Sequence, residues 1–141
     1  MHGETSDFWQ THSIKYLEMA FRTDKQEIIS QPDGYGKKTG DCGDTIELFI
    51  TANGDTLENM SFHVNGCMNT AACANTVIQL AEGRTVDQAW DISPETVFAY
   101  LETLPDDHFH CAELAIGALY LALSDLQENR RSPWKKAYRK F

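Results

Sequence analysis

Three cysteines, an aspartate and a histidine carry the chemistry this chain offers. Cys42 and Asp44 stand two residues apart in Gly40-Asp41-Cys42-Gly43-Asp44, Cys67 follows Asn65-Gly66, and His110 is joined to Cys111. Thiolate, imidazole and carboxylate can together hold zinc in a tetrahedral site, or an iron-sulfur cluster, for which thiolates are the usual ligands. The separations are 25 residues from Cys42 to Cys67 and 44 from Cys67 to Cys111, with no Cys-x-x-Cys. Close pairs mark closed structural zinc sites, so these spacings favour an open site built from distant segments, able to load and release what it holds. Each piece alone is ordinary, since a Cys beside a loop Asp is most often a small buried residue next to a turn. Their weight depends on whether the chain brings them together.

The elements around them are legible from periodicity. Ser13 to about Ile29 carries Ile14, Leu17, Met19, Ala20, Phe21, Ile28 and Ile29 partly at helical spacing behind a Ser N-cap, which predicts an amphipathic helix. Gln31 to Gly40 reads as a loop from its glycine, proline and aspartate, with room for a short strand. Asp44 to Thr51 alternates, with Ile46, Leu48 and Ile50 on one face. Asn53-Gly54 then predicts a two-residue hairpin turn, and Thr56 to Val64 a second, antiparallel strand. Such a hairpin places the start of its first strand opposite the end of its second, so Cys42 and Cys67 meet at one end of the sheet.

Asn69 to Ala81 reads as a helix closed by Gly83 in a left-handed conformation. Cys67 therefore lies at a helix N-terminus, where unpaired amides and the helix dipole favour thiolate over thiol. Cys73, six residues further on, is turned about 240° away and is assigned to packing. A short helix follows over Thr85–Trp90, then one opened by Ser93-Pro94-Glu95 and broken at Leu104-Pro105. The last helix, from about His110 to Leu126, is apolar on several sides and is expected at the centre of the packed layer, with Cys111 at its start.

Composition bounds the function. At 141 residues, 42% hydrophobic and 23% charged, the chain has the size and make-up of one globular domain over 1–141, with its core over about 40–127. No run of about 20 apolar residues is evident for crossing a bilayer, and the polar, acidic start differs from a secretory signal, so a cytoplasmic protein without membrane partners is expected. Reduced thiols or metal ligands are then favoured over disulfides. The net charge of −9 argues against nucleic acid as a partner. It hides an asymmetry: Arg130, Arg131, Lys135, Lys136, Arg139 and Lys140 are half of all Lys and Arg, in a tail over 128–141 that also holds Trp134, Tyr138 and Phe141. A solvated tail, or one docked on the acidic body, is its simplest reading.

Cys42-Gly43-Asp44, Gly66-Cys67 opening an alanine-rich helix, and Leu104-Pro105 followed by His110-Cys111 opening the final helix resemble the iron-sulfur cluster scaffold proteins of the IscU and NifU N-terminal-domain family. The resemblance covers roughly Gly40 to Leu126 in order and spacing. It implies an α+β fold, with a small antiparallel sheet of about three strands and helices packed on one face. It implies a scaffold, not an enzyme, that takes sulfur from a cysteine desulfurase and iron from a donor, assembles a [2Fe-2S] cluster and passes it to apo iron-sulfur proteins. By position, Cys42, Cys67 and Cys111 would be ligands, Asp44 a ligand or the residue that keeps the cluster labile, and His110 a fourth ligand or base. Zinc can take the same place in isolated relatives, and one chain or a homo-oligomer could hold the cluster.

Two departures bear on partners. The IscU branch has Leu-Pro-Pro-Val-Lys, read by a dedicated Hsp70-type chaperone, where this chain has Leu104-Pro105-Asp106-Asp107-His108, so that chaperone is not expected here. Pro32-Asp33-Gly34-Tyr35-Gly36 also replaces the Asn-Pro-x-Asn segment of the main branches. The alternative is a zinc-dependent sulfurtransferase that accepts sulfur from a desulfurase. Such relatives carry an insertion before the last motif, and the short stretch from Cys67 to Cys111 favours the scaffold.

Overall fold

The computed structural model describes residues 12–132. Of the expected tail over 128–141, residues 133–141, with Trp134, Tyr138 and Phe141, lie outside them, whereas Glu128 to Arg131 are not a tail but the end of the last helix. In chain order the elements are α1 (Ile14–Phe21), β1 (Gly34–Thr39), β2 (Thr45–Asn53), β3 (Thr56–Asn65), α2 (Met68–Ala81), α3 (Val86–Trp90), α4 (Pro94–Leu101), a 3₁₀ turn (Asp106–His108) and α5 (Phe109–Arg131). The three strands pair antiparallel in the order β1-β2-β3, and with the helices packed on them this is the α+β architecture expected.

Register sets which face is core. Gly36, Leu48 and Phe62 lie side by side across the sheet, flanked by Gly34, Ile50 and Met60. All six are buried and face the helices. The far face is more polar: Tyr35 donates to Glu47 at 2.6 Å, Glu47 lies 3.3 Å from His63, and the hydroxyls of Thr39 and Thr45 meet at 2.8 Å. Phe49 is the exception, buried on that face with its ring 5.3 Å from that of Tyr35.

Three expectations are corrected, and one left open is resolved. The helix from Ser13 ends at Phe21, not near Ile29. Buried Asn75 of α2 donates to the carbonyls of Met19 and Arg22 and so stops it. The chain then runs beside β3, where Phe62 donates to Lys25 and Glu27 donates to Phe62. Pairing with an otherwise bare strand edge outweighs helix periodicity, and Ile28 is left exposed.

Second, the short strand for which the glycine-rich segment had room forms as β1 and completes the three strands expected. Its glycines serve close approach, because a Cβ on Gly34 would lie 2.6 Å from the carbonyl oxygen of Ala122 in α5. Third, the hairpin turns at Gly54-Asp55, with Asn53 and Thr56 already paired and a bulge beside Thr51. Gly54 takes the positive φ, 61°. Fourth, the stretch from Asp106 to Arg131 is long and apolar enough to cross a membrane, but more than half of its most apolar 18-residue window is buried in the fold. It is apolar because it packs on β1, β2, α2 and α4 at once, which makes it the central helix predicted.

Cap chemistry holds the helices in place. Ser13 caps α1 and donates to the carbonyl of Leu101, tying the start of α1 to the end of α4. Thr85 and Gln88 form a reciprocal capping box at α3, and Ser93 with Pro94 opens α4. Gly83 has the positive φ expected, 85°, and its N–H goes to Leu57 of β3. The exit from α4 is strained: Glu102 has φ 64° and ψ −47°, with Thr103 donating back to Leu101. That is the rare γ-turn geometry, unfavourable for any residue with a Cβ. Glu102→Gly is expected to stabilise the chain by about 0.5–1 kcal/mol, raising the thermal midpoint by about 2–4 °C. Calorimetry checks this, and an unchanged or lower midpoint would refute it.

Candidate metal centre

The bulge moves the turn but leaves the two strand ends together. Thr45 pairs with Asn65, so Asp44 and Gly66 follow on opposite strands. A Cβ on residue 66 would stand 2.5 Å from Oδ2 of Asp44, so only glycine leaves room for that carboxylate. The next residue, Cys67, is the N-cap of α2, and its carbonyl accepts from Thr70 and Ala71. Its own N–H donates to Asp44 Oδ2 at 3.3 Å. The carboxylate at the entrance to β2 thus reaches across the hairpin to the start of α2.

Thr70 stands at the middle of this cluster. It is one turn beyond Cys67 on the same helix face and is fully buried. Its hydroxyl donates to Asp44 Oδ2 at 2.5 Å and lies 3.5 Å from the Sγ of both Cys67 and Cys111. This hydroxyl holds the Asp44 carboxyl below the usual carboxylate range, against partial burial, with help from the Cys67 N–H and the thiols of Cys67 and Cys42.

Cys111 enters from α5 and is buried. Burial pushes its thiol up to about 11. Placement at a helix start therefore does not by itself make this cysteine acidic. His110 is exposed, with Nε2 3.7 Å from the Cys111 sulfur and its ring stacked on that of His108 at 5.7 Å.

Cys42 is exposed on the β1–β2 loop, shaped by Gly43 at φ 92° and by Gly40 donating to the Asp44 carbonyl. It borders an open depression of about 660 Å³ lined also by Lys38, His110, Glu113 and Leu114. A second depression, beside Asp33, Asp55 and Arg130, has neither thiol nor imidazole in its lining. Cys73 is fully buried on α2, and burial raises its thiol well above the ordinary range. It is an inert packing residue, as expected.

All five predicted donors thus come to one end of the sheet, three of them around Thr70. They are not drawn into a closed cage: among the described residues no three His, Cys, Asp or Glu side chains are set around a common point as a metal would need. Thr70 was missed from the sequence, although its spacing of three from an N-cap cysteine points it back at that cysteine. Also missed was the link from α1, where buried Tyr16 donates to Asn69 at 2.5 Å, two residues past Cys67.

The fold and site define a small α+β domain with thiols, a carboxylate and an imidazole gathered at one sheet end. Residues 22–132 match the model of the NifU-like N terminal domain. The chain belongs to that family. It is 31% identical over 98 residues to the iron-sulfur cluster assembly scaffold protein IscU 1 of Archaeoglobus fulgidus, covering 69% of this chain and 64% of that one. It is 28% identical over 121 residues to the nitrogen fixation protein NifU of a Nostoc species, covering 79% of this chain and 40% of that one. The chain therefore spans less than two thirds of these relatives. The crystal structure of a NifU-like N-terminal protein from Brucella abortus superposes with a TM-score of 0.68 at 15% identity, over 82% of this chain and 94% of that one, and shares the fold.

Proposed function

We propose that this chain is a scaffold on which an iron-sulfur cluster is assembled, held for a time and passed to apo-proteins, with a cysteine desulfurase as the sulfur source. The observation that carries the proposal is the convergence of Cys42, Asp44, Cys67, His110 and Cys111 from three separate parts of the chain, with Cys42 and Cys67 exposed. Exposed thiols can receive sulfur and iron, and a buried one can retain them. The donor set suits the cargo, since three thiolates with a harder, exchangeable oxygen or nitrogen ligand hold a [2Fe-2S] cluster less firmly than four thiolates would. Lability is useful in a scaffold and a fault in an electron carrier. The names of the relatives support this reading over a zinc-dependent sulfurtransferase.

The test is anaerobic reconstitution with ferric iron and sulfide, followed by transfer to an apo-ferredoxin. Visible absorption, matched iron and acid-labile sulfide, and transfer are expected. A colourless protein holding zinc that iron does not displace would overturn the proposal. Asp44 governs release in this scheme, because it is the hardest and most exchangeable donor. Asp44→Ala is expected to lengthen the cluster's lifetime and slow its transfer by about tenfold. Transfer at the wild-type rate, followed by the appearance of holo-ferredoxin, would count against that role.

A further inference from the structure

We infer that Thr70, which is not itself one of the metal donors, is the positioning residue that holds Asp44 between the thiols of Cys67 and Cys111 and so prepares the cluster to take a metal ion. The inference rests on the reading of these residues as a metal-holding site. Asp44 comes from the residue just before β2, Cys67 from the cap of α2 and Cys111 from the first turn of α5. The Thr70 hydroxyl lies within hydrogen-bond reach of all three.

One hydroxyl has one proton to donate, and it goes to the anionic carboxylate at 2.5 Å. Its lone pairs remain available to the two sulfurs. Asp44 is half-exposed, and the residue facing it across the hairpin is Gly66, which offers no side chain to confine it. Without Thr70, the Cys67 N–H at 3.3 Å and whatever the thiols contribute are left to keep the carboxylate from swinging into solvent. Thr70 itself is fully buried, so water does not compete for its hydroxyl. A carboxylate has lone pairs on both oxygens, so Asp44 can keep this bond while its remaining sites face an incoming ion. Groups that orient ligands in this way typically affect metal affinity about 10–100-fold.

The experiment measures zinc affinity of the full chain by competition with a chromophoric chelator, for the wild type and for Thr70→Val, Thr70→Ser, Asp44→Ala and the Thr70→Val/Asp44→Ala double variant. Valine keeps the shape and removes the hydroxyl. Thr70→Val is expected to bind zinc at least about tenfold more weakly, and Thr70→Ser to recover most of that loss. The double variant is expected to be no weaker than Asp44→Ala alone, because both changes remove the same contact. If Thr70→Val does not fold, as judged by circular dichroism, the Thr70→Ser and Thr70→Ala pair carries the same comparison. Wild-type-like or tighter binding by Thr70→Val or Thr70→Ala, or additive losses in the double variant, would overturn the inference and leave the scaffold reading intact. A wild type that binds no zinc would overturn the donor cluster itself, and Thr70's role with it.

Discussion

A Cys111→Ala chain reconstituted with iron and sulfide is expected to stay colourless and to bind zinc more than about 100-fold more weakly than the wild type, a larger loss than that from an orienting group. Cys42 and Cys67 are exposed, whereas the Cys111 sulfur is buried and comes from a different element, α5. Without it the remaining candidate thiols, Cys42 and Cys67, belong to the β1–β2 loop and the exit from β3, and α5 contributes only the exposed imidazole of His110. Cys73→Ala is the internal control. That sulfur is also fully buried, but it lies further along α2, and its removal is expected to cost about 1–2 kcal/mol of stability while the colour is kept. Parallel spectra and sulfide analysis decide the matter. A Cys111→Ala protein with the wild-type spectrum, or a Cys73→Ala protein without it, would refute the assignment.

The candidate donors were legible because they sit where local rules apply. Asn65-Gly66-Cys67 ends an alternating strand and begins a helical pattern, and Cys67 is indeed the N-cap of α2. The meeting of Cys42, Asp44 and Cys67 survived a misplaced turn for a topological reason. Moving the turn by one residue and adding the bulge shifts the partner of Thr45 by three residues, to Asn65, but in strands of nine and ten residues the two far ends still fall at the same end of the sheet. What the sequence withheld depends on partners distant along the chain. The end of α1 is decided by Asn75, more than 50 residues later, and the path of Lys25 to Glu27 by the bare edge of β3. Thr70 looks like any helix-interior threonine until β2 and α5 are placed around it. Gly34 and Gly36 read as loop residues because glycine's commonest local meaning is conformational freedom, whereas here its meaning is the missing Cβ.

That missing Cβ carries the second large effect. Gly34, Gly36 and Lys38 share the face of β1 that lies on α5, and the register of small against small lets strand and helix backbones approach closely. A Cβ on Gly36 would stand 2.5 Å from the backbone N of Ala122 and 3.0 Å from the carbonyl carbon of Leu121. These are backbone atoms inside a long buried helix and cannot step aside as a side chain would. Gly36→Ala is therefore expected to destabilise the chain by about 3 kcal/mol, at the upper end of overpacking costs, and to lower the thermal midpoint by about 10 °C. Gly117→Ala on the facing helix is the contrast, because the nearest atoms to its Cβ would be the Cδ and Cε of Lys38, the far end of a flexible chain that can move. The consequence reaches the site. β1 leads directly into Gly40 and Cys42, so pushing the strand away from α5 pulls Cys42 away from the end of α5 that carries His110 and Cys111. Zinc affinity of folded Gly36→Ala should fall with its stability, while Gly117→Ala should leave both nearly unchanged. A Gly36→Ala chain melting within about 2 °C of the wild type would show that β1 can lift from α5 without cost and that the glycines are not what seats the Cys42 loop.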